Sequence, residues 1–201
     1  QNLPGTIDHL MKYNPSYISC TYGAGGGNVG ANREVCQMIK NAGTTPVTHF
    51  TVIKNTKEGI KEQLDQYLAD GVDHMLALRG DIPLGETTTC GDFDYATDLV
   101  KFVRDTYGDK FEIAVAGSPE GHISCRSLES DIAVLKQKQD NGADYIMTQL
   151  CWDMEQFKYW LDAIRKAGIT MPVDVGVMPI LDQAATINMA LSRNGCVMDR
   201  E

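Results

Sequence analysis

The sequence predicts an α/β fold made of repeated strand and helix units around a parallel sheet. Short apolar runs are predicted to be strands, and most of them follow a glycine that ends a helix, where a left-handed residue is favoured. The runs are 17–22, 47–52, 74–79, 111–117, 145–149 and 173–178, and the glycines are Gly43, Gly71, Gly108, Gly142 and Gly168. Strands and helices that alternate in this way are typical of a parallel sheet covered by helices.

Two architectures fit this repeat, a doubly wound open sheet and a (β/α)8 TIM barrel. The chain has 201 residues, whereas a complete barrel takes about 250. It opens in a predicted helix around 7–12 and stops soon after another one. We therefore expect a TIM barrel whose first and last strands are missing from this chain, so that 1–201 is a single, incomplete barrel domain.

Apolar residues recur at helical spacing between the strands and are predicted to pack on the sheet. These stripes are Ile60, Leu64, Tyr67 and Leu68; Tyr95, Leu99, Phe102 and Val103; Leu128, Ile132 and Leu135; and Phe157, Trp160, Leu161 and Ile164. Polar residues mark the helix starts, namely Asn55 with Glu58 at capping-box spacing, Ser127, and Asp153. The aromatic residues in these stripes are interpreted as core.

Composition excludes several classes of function. The 18 basic and 27 acidic residues give a net charge of −9, which argues against a nucleic-acid partner because phosphate binding needs a basic surface. No apolar stretch reaches the length of a membrane span. The six cysteines form no CxxC pair and no histidine has ligand spacing. We expect reduced thiols, a cytoplasmic protein and no metal site.

A glycine-rich segment follows the first predicted strand. Gly25 to Gly30 fits GxGxxG, the pattern of dinucleotide-binding Rossmann domains. Such a domain also places an acidic residue at the end of the next strand, but this strand ends at Lys54. A flexible loop is therefore favoured, and a Rossmann-type NAD-binding dehydrogenase domain stays open as an alternative.

A charged tripeptide, Arg79-Gly80-Asp81, ends the third predicted strand. The arginine offers a planar set of donors for a phosphate or carbonyl, the glycine lets a flat ligand approach the backbone, and the aspartate adds a negative charge. In parallel α/β folds ligands bind at this edge of the sheet. The alternative is an Arg–Asp ion pair that only closes the loop.

Five segments together resemble methylenetetrahydrofolate reductase. They are Ser19-Cys20-Thr21-Tyr22-Gly23, Pro46-Val47-Thr48-His49-Phe50-Thr51, Ala77-Leu78-Arg79-Gly80-Asp81-Ile82-Pro83, Ala114-Val115-Ala116-Gly117-Ser118-Pro119-Glu120-Gly121-His122, and Ile146-Met147-Thr148-Gln149. The resemblance implies a TIM-barrel catalytic domain with FAD at its C-terminal face. It also implies reduction of 5,10-methylenetetrahydrofolate to 5-methyltetrahydrofolate, with NAD(P)H as co-substrate.

The same resemblance assigns residues to the cofactor. The FAD-binding positions would be Thr21, Tyr22, Ala24, His49, Arg79, Gly80, Asp81, Ala96, Ser118, His122, Asp131 and Lys138. Of these, Thr21, His49 and Asp81 would surround the isoalloxazine ring. Asp131 and Lys138 would hold the nucleotide half, the lysine as a point charge for pyrophosphate.

For the substrate, the resemblance assigns Asp81 as catalytic and as a pterin contact, and Gln149 as the amide that pairs with the pterin edge. The family's proton donor is a glutamate on the first barrel strand, which we expect to lie outside this chain. A folate substrate is the implied partner, with a homo-oligomer or an electron-donor protein as further possibilities. A catalytically silent flavin-binding barrel is the second alternative.

Overall fold

The computed structural model of the protein describes residues 2–21, 29–82, 85–122 and 125–191. Strands and helices alternate along these residues, as the glycine-spaced repeat predicts. The strands are β1 (Tyr17–Cys20), β2 (Thr45–Thr51), β3 (His74–Leu78), β4 (Glu112–Gly117), β5 (Tyr145–Thr148) and β6 (Val173–Asp174). The helices are α1 (Leu3–Met11), α2 (Val29–Asn41), α3 (Lys57–Ala69), α4 (Ala96–Tyr107), α5 (Leu128–Asp140), α6 (Met154–Lys166) and α7 (Gln183–Leu191), with a short 3-10 helix at Gly108–Lys110.

The strands of the described residues follow sequence order in one sheet, β1-β2-β3-β4-β5-β6. The pairings of β1 with β2, β2 with β3 and β5 with β6 are parallel. This is the neighbour order of a (β/α)8 barrel, whereas the strand order of a doubly wound sheet reverses. The prediction of a parallel α/β fold is confirmed, and the closed eight-stranded barrel stays a prediction.

The chain divides into two compact units, Gln1–Ala114 and Val115–Glu201. The core of the first unit includes the fully buried Val47, Phe50, Leu64, Tyr67 and Met75. In the second unit, Val115, Ile146, Trp160, Ile164 and Ile169 are buried. Most residues of the predicted stripes of α3 and α6 are therefore core, as predicted, whereas in the stripe of α5 only Leu135 is buried. Our assignment of 1–201 to one domain stays a prediction.

The predicted helix ends agree with the structure. Gly43, Gly71, Gly108, Gly142 and Gly168 all have positive φ, at 97°, 68°, 58°, 102° and 79°. A left-handed residue at this point releases the chain from the helix so that the next strand can begin.

Of the predicted helix starts, two are confirmed and one is wrong. Ser127 and Asp153 are the N-caps of α5 and α6. Asn55 is not the cap of α3, because Thr56 accepts a hydrogen bond from the Gly59 amide at 3.1 Å. The Asn55 amide instead donates to the Thr51 carbonyl at 3.0 Å.

Several strands stop earlier than the apolar runs predict. The run 173–178 contains a strand of only two residues, Val173–Asp174. Beyond it the Gly176 amide donates to the Thr148 hydroxyl at 2.9 Å rather than to a strand carbonyl.

One residue of the predicted stripe of α4 is not part of the core. Tyr95 is the N-cap of α4 and is 61% exposed.

No helix within the described ranges is both long enough and apolar enough to cross a bilayer.

Candidate active site

In the first unit, three of the predicted site residues lie at the carboxyl ends of neighbouring strands. Thr21 directly follows β1, His49 lies in the second half of β2, and Arg79 directly follows β3. The registers pair Cys20 with Thr48 and Thr51 with Leu78. Because the strands are parallel, their carboxyl ends meet at one edge, so the structure brings these residues to the same edge of the unit.

His49 is a half-buried residue whose burial lowers the pKa of its imidazole. Removing an imidazolium from water is unfavourable, so the neutral ring is the stable form near neutral pH. A neutral imidazole offers one donor and one acceptor. His49 is therefore suited to hydrogen bonding with a polar ring edge rather than to binding an anion by charge.

Arg79 does not close its loop by pairing with a carboxylate. Its Nε donates to the Gly80 carbonyl at 3.3 Å, and in the described parts of the chain no ion pair to Arg79 is present. Asp81 is exposed. Within the described residues the loop-closing alternative is therefore not supported, because Arg79 and Asp81 form no ion pair there.

Gly80 occupies a position where only glycine fits without strain. Its φ is +86°, and a Cβ atom there would lie 2.6 Å from Ile53 Cγ1 and 3.1 Å from Thr51 Cβ. The backbone between Arg79 and Asp81 thus packs directly on the β2 end. This packing fixes the position from which the two charged side chains leave the strand.

Replacing Gly80 by alanine is expected to destabilise the protein by about 1–3 kcal/mol, because the left-handed φ and the contact with Ile53 both oppose a side chain. Gly85→Ala is the matched control, since its φ is +91° but no atom of the described residues lies within 4 Å of the added Cβ. Urea unfolding of both variants separates backbone strain from crowding. Equal losses of stability in the two variants would contradict the crowding at Gly80.

Ala96 is the first residue of α4 and is half-buried. Its helix begins after the segment that follows β3, and the Asp98 amide of its first turn donates to the Tyr95 carbonyl at 3.1 Å. Tyr22 and Ala24, the other cofactor positions assigned to this unit, lie outside the described residues. So do residues 25–28 of the glycine-rich segment.

In the second unit, Ser118 directly follows β4 and Gln149 directly follows β5. The two strand ends are joined by a hydrogen bond from the Gln149 amide to the Gly117 carbonyl at 2.8 Å. The Gln149 side-chain oxygen accepts from the Leu150 amide at 2.9 Å. Ser118 and Gln149 are both half-buried, so the structure places them at one edge of this unit.

Lys138 reaches from α5 to the end of β4, where its Nζ donates to the Ala116 carbonyl at 2.9 Å. Burial lowers the pKa of Lys138, and the nearby Asp131 carboxylate opposes that shift. Asp131 accepts a hydrogen bond from the Cys125 thiol at 3.6 Å. The structure therefore brings the predicted pair Asp131 and Lys138 together, with the ammonium held at the strand end.

His122 is exposed, and its backbone carbonyl accepts from the Cys125 amide at 2.8 Å. This hydrogen bond joins the segment after β4 to the segment before α5. Among the described residues, no group of three or more histidine, cysteine or acidic side chains is arranged to hold a metal ion.

In the second unit the structure shows a half-buried carboxylate, Glu120, that sequence reasoning did not assign. Glu120 accepts a hydrogen bond from the Cys151 thiol at 3.6 Å, and burial raises the pKa of its carboxyl group. It ties the segment after β4 to the segment after β5, which carries Gln149. Its place between Ser118 and His122 was the available signal, but a glutamate in a loop gives no sign of burial.

These observations define the class of protein. It is a parallel α/β protein with strands in sequential order, and in each unit polar and charged side chains gather at the carboxyl ends of the strands. That edge is where such folds bind ligands.

Comparison with known proteins makes this class specific. Residues 1–194 match the methylenetetrahydrofolate reductase family, and the chain belongs to that family. The match covers every described residue that the sequence assigns to the site.

Curated relatives of the chain are named methylenetetrahydrofolate reductases. The chain is 36% identical to methylenetetrahydrofolate reductase (NADH) 1 of Arabidopsis thaliana, covering 94% of this chain and 34% of that protein. It is 35% identical to methylenetetrahydrofolate reductase 2 of Saccharomyces cerevisiae, covering 94% of this chain and 33% of that protein. With 5,10-methylenetetrahydrofolate reductase of Escherichia coli the identity is 33%, covering 90% and 60%. The chain thus spans about a third of the plant and yeast relatives.

Solved structures show the same fold at low sequence identity. A phosphonopyruvate hydrolase in complex with oxalate and Mg++ has a TM-score of 0.62 and 13% identity, over 96% of this chain and 71% of that chain. A 2,3-dimethylmalate lyase has a TM-score of 0.56 and 12% identity, over 98% and 81%. These likenesses concern the fold alone.

Proposed function

We propose that the protein is an FAD-dependent enzyme that reduces 5,10-methylenetetrahydrofolate to 5-methyltetrahydrofolate. The observation that carries this proposal is the family match over residues 1–194, which includes Asp81, Gln149 and the cofactor positions. The folate substrate follows from the names of the relatives. Two plant relatives are named as NADH enzymes, so NADH is the first electron donor to test, with NADPH and a donor protein next.

The residues present fit FAD by their chemistry. In the first unit, the neutral imidazole of His49 suits a polar ring edge, and the Arg79 guanidinium suits phosphate oxygens. In the second unit, Lys138 holds a partly buried ammonium beside Asp131. These are the groups that a flavin dinucleotide requires: ring-edge hydrogen bonds, cations for pyrophosphate and an acceptor for hydroxyls.

When bound, FAD supplies the hydride chemistry between the pyridine nucleotide and the folate. The chain's own residues bind FAD and the folate substrate and orient them. The exposed Asp81 carboxylate places a negative charge where the folate substrate passes through a cationic iminium, and Gln149 offers both a donor and an acceptor to the pterin edge. The positive charges of Arg79 and Lys138 balance the negative charge of the FAD phosphates.

The remaining assignments are part of the same proposal. We place the chain in a TIM-barrel catalytic domain, with the closing strands supplied outside the described residues, and we place the protein in the cytoplasm. A homo-oligomer or a partner that donates electrons fits this scheme. The Rossmann alternative requires a sheet whose strand order reverses, which the described strands do not have.

Replacing Lys138 by alanine is expected to weaken FAD binding about 10- to 100-fold, the value of one charge-assisted contact of roughly 1.5–3 kcal/mol. Lys136→Ala is the matched control, because Lys136 lies on the same helix and pairs with Asp140 at the surface. Flavin absorbance after dialysis against graded FAD concentrations gives both dissociation constants.

Wild-type protein that stays colourless and takes up no added FAD would overturn the proposed function. Equal FAD affinities in the two lysine variants would remove Lys138 from the cofactor site while leaving the function in place.

A further inference from the structure

A single buried amide in the first unit is bonded to three other elements. Asn32 lies on α2 and is 3% exposed. Its Nδ2 donates to the carbonyl of Cys20 at 3.2 Å and to that of Thr21 at 3.0 Å. Both carbonyls lie at the carboxyl end of β1. The Asn32 amide therefore fastens the end of this strand to the helix that follows it.

The oxygen of the same amide binds the next strand and the next helix. Oδ1 accepts from the Thr48 hydroxyl at 2.8 Å and from the Tyr67 phenol at 2.7 Å. The Cys36 thiol donates to it at 3.5 Å. Carbonyl oxygens only accept, so the nitrogen must face β1 and the oxygen must face the hydroxyls. The orientation of the amide is thereby fixed, and both of its ends are satisfied.

These contacts act on two residues assigned to the flavin ring. The ladder between β1 and β2 ends at the pair Cys20 and Thr48, so Thr21 lies beyond it and Asn32 holds its carbonyl. Thr48 precedes His49, and successive strand side chains point to opposite faces. Holding the Thr48 hydroxyl on the α2 side therefore directs His49 to the other face.

We propose that Asn32 is a positioning residue for the flavin edge of this unit, because one amide fixes Thr21 and His49 relative to each other. The inference rests on the proposed function. It extends that function because Asn32, which is not assigned to the flavin, fixes the positions of Thr21 and His49, which are. The competing explanation is that the network only stabilises the core.

The test measures FAD binding in Asn32→Asp, which keeps the shape and the accepting oxygen but offers a carboxylate, with no donor, to the carbonyls of Cys20 and Thr21. The expected result in the full-length protein is at least tenfold weaker FAD binding and a shift in the visible absorbance band of the bound flavin. Tyr107→Phe is the matched control. It removes a phenol that donates to Asp65 at 2.8 Å and to the Lys61 carbonyl at 3.1 Å, outside the network.

The control is expected to lose stability in urea while its FAD affinity and flavin spectrum stay within twofold and unshifted. A folded Asn32→Asp variant with wild-type affinity and spectrum would overturn the inference alone. So would equal losses of FAD affinity in Asn32→Asp and Tyr107→Phe. If Asn32→Asp does not fold, Tyr67→Phe takes its place. This variant is expected to bind FAD about threefold more weakly than Tyr107→Phe. Equal FAD affinities in Tyr67→Phe and Tyr107→Phe would overturn the inference. A wild type that takes up no FAD overturns the proposed function, and this inference with it.

Discussion

Asp81→Asn is expected to slow reduction of 5,10-methylenetetrahydrofolate by about 100- to 1,000-fold, the typical loss when a preorganised electrostatic group is removed. In the proposed function the carboxylate favours the cationic iminium, so the neutral amide is expected to withdraw about 2.7–4 kcal/mol of transition-state stabilisation. The same charge disfavours an anionic reduced flavin. Its removal is therefore expected to raise the reduction potential of bound FAD.

The two effects are measured separately. Stopped-flow mixing of reduced protein with the folate substrate gives the rate, and a reductive titration against a reference dye gives the potential. Asp8→Asn is the control, because Asp8 is exposed on α1 and the charge change is identical. An Asp81→Asn variant with the rate and potential of wild type would leave Asp81 as a loop residue.

Trp160→Ala is expected to cost about 3–5 kcal/mol of unfolding free energy, the range for removing a large buried aromatic side chain. Trp160 is 1% exposed on the inner face of α6, and its ring lies 5.9 Å from that of Phe157. A Cβ added at Gly117 would lie 3.1 Å from its Cζ2. The Trp160 ring therefore packs directly on the β4 backbone, and its removal leaves a cavity in the core.

Tyr159→Ala serves as the control on the same helix, because Tyr159 is 62% exposed. Its expected cost is within about 0.5 kcal/mol. Urea unfolding followed by far-UV circular dichroism compares the two. Similar midpoints for the two variants would contradict the assignment of Trp160 to the core of the second unit.

Local rules predicted much of this fold. The glycines before the strands have the left-handed φ that the pattern requires, and Asp153 caps α6 because its short acceptor fits the first helical turn. Asn55 was misassigned because two neighbouring residues, Asn55 and Thr56, both suit a cap. In the structure the Asn55 side chain is bonded to the Thr51 carbonyl and to the Gln63 side chain, which leaves Thr56 to cap the helix.

Some of the site residues could likewise be located from the sequence, and others could not. His49 and Arg79 could be located from strand ends, since parallel strands collect such residues at one edge. Asn32 could not, because a polar residue in a helix looks exposed until its partners Thr48 and Tyr67 are brought to it from elsewhere in the chain. Glu120 was missed for the same reason, since its burial depends on the segment after β5.

The central claim is tested most directly by a single anaerobic half-reaction. Full-length protein is loaded with FAD, reduced, and mixed with 5,10-methylenetetrahydrofolate while the flavin absorbance is followed. The account predicts that the oxidised flavin band returns and that 5-methyltetrahydrofolate forms in an amount equal to the flavin. Bound flavin that stays reduced in the presence of the folate would contradict it and identify a catalytically silent flavin-binding protein.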